Sequence, residues 1–140
     1  MPAVIRLVAG LGNPGLQYQG TRHNAGYQFV ELLAQRYRAT FRNDPRFHGE
    51  VCRIHAHGHE CWLLKPTTFM NRSGQSVSSL ARYYKISLQQ LLVAHDELDL
   101  PAGTARLKAG GGHAGHNGLR DIVSAMDGGD FWRLRLGIDR

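Results

Sequence analysis

The feature that most constrains the fold of this chain is a regular alternation of short apolar segments with longer amphipathic ones. Apolar segments of about four to eight residues are typical of strands, and longer segments with a repeat of three to four residues are typical of helices. Predicted strands cover residues 6–11, 48–54, 61–65, 91–94, 104–108 and 131–138, and predicted helices cover 24–38, 74–85 and a stretch ending near 126. This order predicts a three-layer α/β/α fold, with helices on both faces of a twisted, largely parallel sheet.

One short connection makes the predicted sheet mixed. The apolar segments on either side of Gly58 are too close for a helical crossover, so they should pair as an antiparallel hairpin. His55, His57 and His59 alternate through this turn, a pattern that also occurs in metal sites. Because Gly58 occupies the turn and only Glu60 offers a nearby carboxylate, an exposed polar hairpin is favoured over a metal site.

The composition is that of a single globular domain with an excess of positive charge. The 140 residues are 42% hydrophobic, and they contain no apolar run long enough (about 18 residues) to span a membrane. The amino terminus lacks the pattern of a secretory signal, and two cysteines make no disulfide framework, which predicts a cytoplasmic protein. The net charge of +6 favours a polyanionic partner such as nucleic acid, bound by a folded basic patch because the arginines are spread along the chain.

The segment 10–15 has the spacing G-x-G-x-x-G directly after a predicted strand. That spacing is typical of dinucleotide-binding folds, so a nucleotide-dependent oxidoreductase is one function to consider. Two features oppose it: no helix is predicted to begin at Gly15, and the acid at a suitable distance, Glu31, lies inside the first predicted helix. Otherwise the segment is a Gly/Pro turn, or it presents the amide of Asn13 as both donor and acceptor.

Two other segments beyond predicted strands contain groups suited to acid–base chemistry. His23 lies between a loop and a helix start, and the pKa of a histidine is close to the pH at which a general base must work. Asp96 belongs to an acidic group, residues 95–99, where carboxylates could hold a metal or orient a histidine. Each also has a structural interpretation, as an exposed histidine and as a solvated acidic turn.

Two further segments combine amides with helix starts. Asn71 lies where a strand passes into a helix, and it could cap that helix or direct its amide at a ligand. The glycine-rich residues 110–118 include His113, His116 and Asn117, more polar side chains than a flexible loop requires. The helix N-terminus that follows can host an anion or a developing oxyanion. No Gly-Lys-Ser/Thr follows the glycines, so the loop is not a P-loop.

Taken together, these ordered segments resemble the bacterial peptidyl-tRNA hydrolase family over nearly the whole chain. The motifs are GLGNPG at 10–15, TRHNAG at 21–26, TFMN at 68–71, HDELD at 95–99, GGGH at 110–113 and GHNGL at 115–119. The resemblance implies the α/β fold of that family and a hydrolase that cleaves the ester between peptide and tRNA, in translation and ribosome rescue. It also implies a cytoplasmic monomer without cofactor or metal, which binds the acceptor stem and CCA end of peptidyl-tRNA.

The resemblance further implies a role for each matched side chain. His23 is expected to be the general base that activates water, and Asp96 the carboxylate that orients it. Tyr18, Met70 and His116 are expected to line the substrate site. The amides of Asn13, Asn71 and Asn117 are expected to hold the peptide backbone, the tRNA 3′ end and the attacking water. Lys108 and Arg135 are expected to clamp a tRNA phosphate.

The chain departs from the family pattern at its carboxyl end. Family members continue past the last strand with a lid-like loop, a further strand and a helix, whereas this chain ends at Arg140. We therefore expect one domain, residues 1–140, without that lid and helix and with part of the substrate groove missing. A non-catalytic RNA-binding module, suggested by the charge and the short carboxyl end, remains an alternative to the enzyme, as does the oxidoreductase.

Overall fold

Seven strands of the part of the chain that the structure describes form one sheet. The structure is a computed structural model that describes residues 4–14 and 24–138. Its strands are β1 (Leu7–Gly10), β2 (Arg42–Asp44), β3 (Gly49–Ala56), β4 (His59–Pro66), β5 (Leu91–Glu97), β6 (Ala105–Ala109) and β7 (Trp132–Gly137). Its helices are α1 (Ala25–Arg36), α2 (Ser73–Tyr83) and α3 (Asn117–Met126).

The sheet has a parallel centre and antiparallel edges. Its order is β2-β3-β4-β1-β5-β7-β6, and the β1–β4, β1–β5 and β5–β7 pairs are parallel. The β2–β3, β3–β4 and β6–β7 pairs are antiparallel. The predicted mixed α/β sheet is therefore confirmed.

Helices cover both faces of the sheet, as the alternation predicted. On one face, Val30 and Ala34 of α1 pack with Val8 and Leu63 of the central strands. On the other face, side chains of α2 and α3 pack on the same strands; they include Val77, Leu80, Ala81, Leu119 and Ile122. The periodic apolar positions of the helices thus point inward, and burying them supplies the main favourable free energy of such a layered core.

The hairpin between β3 and β4 is exposed, as predicted. Ala56 pairs with His59, so the turn consists of His57 and Gly58. Both have positive φ angles, 53° and 79°, the conformation that a tight two-residue hairpin turn requires. The three histidines of this hairpin are exposed, and no group of three His, Cys, Asp or Glu that could hold a metal occurs within residues 4–14 and 24–138.

Strand β2 was not predicted. Its sequence, Arg42-Asn43-Asp44, is wholly polar and carries no alternating apolar pattern. The strand forms because its backbone pairs with the edge of β3, where Arg42 lies opposite Val51. Pairing at an edge leaves the outer face of a strand in solvent, so composition gives no signal for it.

Glycines at the end of β1 let α1 approach the sheet closely. A Cβ on Gly26 would lie 2.5 Å from the carbonyl oxygen of Ala94 and from the backbone of Leu11. A Cβ on Gly10 would overlap the carbonyl of Gly26, and one on Gly12 would lie 2.7 Å from the ring of Tyr27. The first two glycines of G-x-G-x-x-G therefore serve helix packing. Helix α1 begins at Ala25, far beyond the third glycine, which weakens the dinucleotide alternative further.

The order of the strands makes a crevice beside the end of β1. That strand lies between β4 and β5, so the chain connections on its two sides run apart from each other there. In open α/β sheets, ligands bind beyond the carboxyl ends of the strands at such a switch point.

Of the helices within the described residues, none is long and apolar enough to cross a membrane.

Candidate active site

The loop that follows β1 is fixed by Asn24, the residue before α1. The backbone N–H of Asn13 donates to Oδ1 of Asn24 at 2.9 Å, and Nδ2 of Asn24 donates to the carbonyl of Asn13 at 3.3 Å. Asn24 is only 5% exposed, so these bonds satisfy a buried amide as well as the loop backbone. The main chain of Asn13 is thereby held at the carboxyl end of β1.

The connection from β4 to α2 contains a single 3₁₀ turn, Met70–Arg72. The capping role considered for Asn71 is wrong, because α2 receives no side-chain cap from its own connection. Instead the N–H of Gly74 donates to Oδ2 of Asp121 in α3, at 2.7 Å. The side chain of Asn71 stays exposed, and capping from another helix leaves it available for a ligand.

Three of the predicted amides meet in one open cleft. Asn13 follows β1, Asn71 follows β4 and Asn117 begins α3, yet all three line a cavity of about 510 Å³. The wall of this cavity also includes Phe69, Met70 and Arg72. Such a cleft can hydrogen-bond a peptide or nucleotide through its neutral amides, and Arg72 adds one positive charge to its wall.

Asp96 is hydrogen-bonded to His116. The distance from Nε2 of His116 to Oδ1 of Asp96 is 3.0 Å, and the two side chains are only 16% and 12% exposed. Nδ1 of His116 accepts from the N–H groups of Gly118 and Leu119 at 3.1 and 3.2 Å. An accepting Nδ1 carries no proton, so these partners assign the proton to Nε2 and make His116 a neutral donor to Asp96.

Close packing around Gly118 connects this pair with the cleft. A Cβ on Gly118 would lie 2.8 Å from Cδ1 of Leu11 and from Sδ of Met70, and 3.1 Å from Cε1 of His116. The start of α3 therefore rests directly on the end of β1 and on Met70. The Asp96–His116 pair and the three amides are thus parts of one site at the carboxyl edge of the sheet.

A second histidine beside Asp96, the buried His95, received no role in the sequence analysis. It is 3% exposed, its Nδ1–H donates to the carbonyl of Asp96 at 2.8 Å, and its ring packs edge-on against His116 at 5.0 Å. Burial, and next the neighbouring His116, lower the pKa of His95 to about 4. His95 is therefore neutral near pH 7.

Lys108 and Arg135 line a second cavity, of about 240 Å³, beside the first site. Asp96 and His116 line the same cavity, so the two predicted cations lie next to the Asp96–His116 pair. Nε of Arg135 donates to Oε1 of Glu97 at 3.0 Å, an ion pair that the sequence did not predict. Carboxylates line the cavity as well, so its cations can bind an anionic group such as a phosphate through direct contacts and not through an excess of positive charge.

Arg133 holds the glycine-rich loop. It is 2% exposed, and its terminal nitrogens donate to the carbonyls of Gly111, Gly112 and Gly129 at 2.5 to 2.8 Å. Burial lowers the pKa of Arg133, yet a guanidinium stays protonated in proteins. One buried cation thereby fixes the backbone that leads to His116.

Two predicted residues cannot be placed. His23, the predicted base, and Tyr18, a predicted lining residue, lie outside the described residues, as does the first half of the motif 21–26. Their roles stay predictions.

Comparison with known proteins gives the same family as the motifs. Residues 7–140 match the family model described as peptidyl-tRNA hydrolase. The chain is 52% identical over 139 residues to the peptidyl-tRNA hydrolase of Neisseria meningitidis serogroup C (strain 053442), covering 99% of this chain and 72% of that protein. It is 57% identical over 134 residues to the peptidyl-tRNA hydrolase of Methylobacillus flagellatus, covering 96% of this chain and 69% of that protein.

Solved structures agree with the sequence comparisons. The crystal structure of peptidyl-tRNA hydrolase from Acinetobacter baumannii superimposes with a TM-score of 0.93 and 56% sequence identity. The match covers 97% of this chain and 69% of that one. On the strength of the family model, the identities and the shared fold, this chain belongs to the peptidyl-tRNA hydrolase family.

Proposed function

We propose that this chain hydrolyses peptidyl-tRNA by cleaving the ester bond between the peptide and the terminal ribose. The observation that carries the proposal is the meeting of three amides, Asn13, Asn71 and Asn117, in one cleft beside a largely buried Asp–His pair. Neutral amides bind a peptide main chain whatever its side chains are, which suits a substrate of variable peptide sequence. The three amides come from segments that are distant in the sequence, which favours a functional site over a surface groove formed by chance.

The proposed base is His23, oriented by Asp96. A carboxylate can accept several hydrogen bonds, so its bond to His116 is compatible with a second bond to His23. Because His116 is a neutral donor, it leaves the negative charge of Asp96 to stabilise the imidazolium that forms when His23 takes a proton from water. An ester has a good leaving group, so the activated water can attack without a covalent enzyme intermediate, and no step uses a metal.

The tRNA part of the substrate is proposed to lie along the basic side of the site. Lys108 and Arg135 would hold a phosphate of the acceptor stem, while the CCA end reaches the amide cleft. Phosphate contacts of this kind position a nucleic acid without reading its base sequence. The proposal includes a monomer acting in the cytoplasm, as the family resemblance implies.

The experiment that tests this proposal follows release of free tRNA from an N-blocked aminoacyl-tRNA. The wild-type chain should cleave the ester, and His23→Ala should lower kcat by about 10²–10⁴-fold, the usual contribution of a general base. His55→Ala, a matched substitution in the exposed hairpin, should leave kcat unchanged.

Two outcomes would contradict the proposal. If His23→Ala turns over at the wild-type rate, His23 is not the base. If the wild-type chain binds tRNA in a salt-dependent manner but releases no product, the chain is an RNA-binding module and not a hydrolase.

A further inference from the structure

We propose that Glu97 is a positioning residue, which holds the guanidinium of Arg135 ready to receive one tRNA phosphate. The inference rests on the proposed function, since it concerns the binding of the same substrate. It differs from that proposal in giving a task to a negatively charged side chain inside a site for a polyanion.

The ion pair is well placed to fix Arg135. Nε of Arg135 donates to Oε1 of Glu97 at 3.0 Å, and the two side chains are 29% and 16% exposed. The two residues come from the adjacent parallel strands β7 and β5, in which Arg135 lies opposite His95 and Glu97 opposite Gly137. The bond is therefore diagonal across neighbouring strands and joins two rigid elements.

Glu97 is itself held in place. Its second carboxylate oxygen, Oε2, accepts the N–H of Asp99 at 3.2 Å, and its backbone carbonyl accepts the N–H of Ile138 at 3.1 Å. With bonds to both oxygens and to its main chain, Glu97 has little freedom to move. It is an anchor for Arg135 and not a mobile counter-ion.

The anchor occupies only one edge of the guanidinium. Nε is engaged, and the terminal groups Nη1 and Nη2 of Arg135 make no hydrogen bond to any residue in 4–14 or 24–138. Those two groups form the fork that binds two oxygens of one phosphate. Arg135 also lines the cavity shared with Lys108, so the unused groups belong to a site that already contains a second cation.

The neighbouring Arg133 shows the opposite arrangement. Both of its terminal nitrogens are bonded to loop carbonyls, and the side chain is 2% exposed. Arg133 lines the same cavity, but its Nε, which has no partner within the described residues, is buried, so it offers no accessible pair of N–H groups to a phosphate. Of these two arginines on β7, Arg135 is therefore the one suited to bind the ligand.

A purely electrostatic role and a positioning role for Glu97 predict opposite changes in tRNA affinity when Glu97 is removed. A carboxylate beside a phosphate repels it, so loss of the charge alone would tighten tRNA binding. If instead Glu97 holds Arg135 in place, its loss leaves a long flexible side chain that must be ordered on binding, and binding weakens. The direction of the change in Kd therefore separates the two explanations.

The first measurement is the Kd of deacylated tRNA at several salt concentrations. For Glu97→Ala we expect Kd to rise about three- to tenfold, the effect of ordering one long side chain, with the slope of log affinity against log salt reduced by up to about one. In turnover, KM should rise by a similar factor while kcat is unchanged. Glu60→Ala is the matched control: it removes an exposed carboxylate that pairs with Arg53 at 3.3 Å, and it should leave Kd unchanged or slightly lower.

A double-mutant cycle tests whether Glu97 acts through Arg135. Arg135→Ala should weaken binding, and adding Glu97→Ala to it should cause no further loss. Glu97→Gln, which keeps an acceptor for Nε, should recover most of the affinity. It tests the same role if the alanine variant proves to be misfolded. Unchanged or tighter binding by a folded Glu97→Ala protein, or additive losses in the double variant, would overturn the inference.

Failure of the proposed function would appear differently. If the wild-type chain bound tRNA but cleaved no ester, the enzyme assignment would fail, while the Kd measurements on Glu97 and Arg135 would still decide the positioning role.

Discussion

The chemistry around Asp96 depends on where protons reside. His116 accepts two backbone N–H groups at Nδ1, so it donates to Asp96 as a neutral imidazole. His95, packed against it, is kept neutral by burial. Two neutral histidines thus contact Asp96, His116 at its carboxylate and His95 at its backbone carbonyl. Within our proposal His23 is a third histidine, which the carboxylate of Asp96 orients.

The buried His95 makes stability depend on pH. Its pKa is about 4 in the folded chain and about 6.5 in an unfolded one, so below pH 6.5 the unfolded state binds more protons. Stability should therefore fall as the pH drops from 6.5 toward 4, and His95 should account for about 2 kcal/mol of the loss between pH 7 and pH 5. His95→Phe, which keeps a ring against His116, should remove that share, as measured by urea unfolding at both pH values.

His55→Phe supplies the comparison for this experiment, because His55 is exposed on the hairpin. It should show the same loss between pH 7 and pH 5 as the wild-type chain. An equal loss in His95→Phe would mean that the groups near His95, namely His116, Asp96 and Glu97, or more distant ones, cause the pH dependence.

At the scale of secondary-structure elements, one contact between helices sets the spacing of two cleft amides. Oδ2 of Asp121 accepts the N–H of Gly74 at the start of α2. A Cβ on Gly74 would overlap the carbonyl of Asp121, so the two helices touch there without a side chain between them. Asn71 lies just before Gly74, and Asn117 lies one turn before Asp121. The contact therefore fixes the distance between those amides.

Removal of this contact should affect both stability and catalysis. Asp121→Ala should lower the free energy of unfolding by about 1–2 kcal/mol, the contribution of a lost helix cap, as measured in urea. It should also lower kcat/KM by about tenfold or more, because the two amides lose their relative placement. Asp121→Asn, which keeps an acceptor oxygen, should restore most of both.

Asp130→Ala is a suitable control for the Asp121 variants, since it removes an exposed carboxylate that accepts a bond from Gln89 at 3.2 Å. It should change the free energy of unfolding by less than about 0.5 kcal/mol. If Asp121→Ala proved as mild as Asp130→Ala in both measurements, the helix contact would not determine the site.

At the scale of the whole molecule, the position of α1 on the sheet brings the ends of β1 and β5 into contact with the helix. The carbonyl of Ala94 and the backbone of Leu11 lie so close to Gly26 that no side chain fits between them. Asn24, which fixes Asn13, immediately precedes this helix. The packing of α1 on the sheet therefore also determines the position of Asn13 in the amide cleft.

Gly26→Ala should therefore destabilise the fold strongly. The added methyl would lie 2.5 Å from backbone atoms that cannot rotate away, so α1 must shift off the sheet. We expect a loss of about 3 kcal/mol in the free energy of unfolding, at the upper end for overpacking. In contrast, Gly112→Ala places its methyl in open space and should cost less than about 1 kcal/mol; equal effects in urea unfolding would contradict this account.

Much of the architecture was predictable because it depends on local patterns. The apolar repeats of α1 and α2 and the alternation of strands with helices led to the layered α/β fold. The hairpin at His57 and Gly58 was predictable from a short turn between two apolar segments. Strand β2 was not, because a polar edge strand forms through backbone pairing alone.

The sequence predicted which residues form the candidate site, but it did not predict their hydrogen-bond partners. Asn13, Asn71 and Asn117 were identified from motifs, and the structure brings them together. The residue that caps α2 was not predicted, because the acceptor, Asp121, lies 47 residues beyond Gly74 in the chain. No local pattern can report such a partner.

The sequence by itself determined the family, the fold class and the residue types of the site, since these depend on periodicity, turn chemistry and ordered motifs. Only the tertiary structure decided what each charged or titratable group does. Arg133 and Arg135 are two residues apart on one strand, yet one is buried against loop carbonyls and the other is held by Glu97, with no hydrogen bond from its terminal groups to the residues that the structure describes. The physical reason is that hydrogen-bond partners and burial come from segments distant in sequence, and these set proton positions and charge.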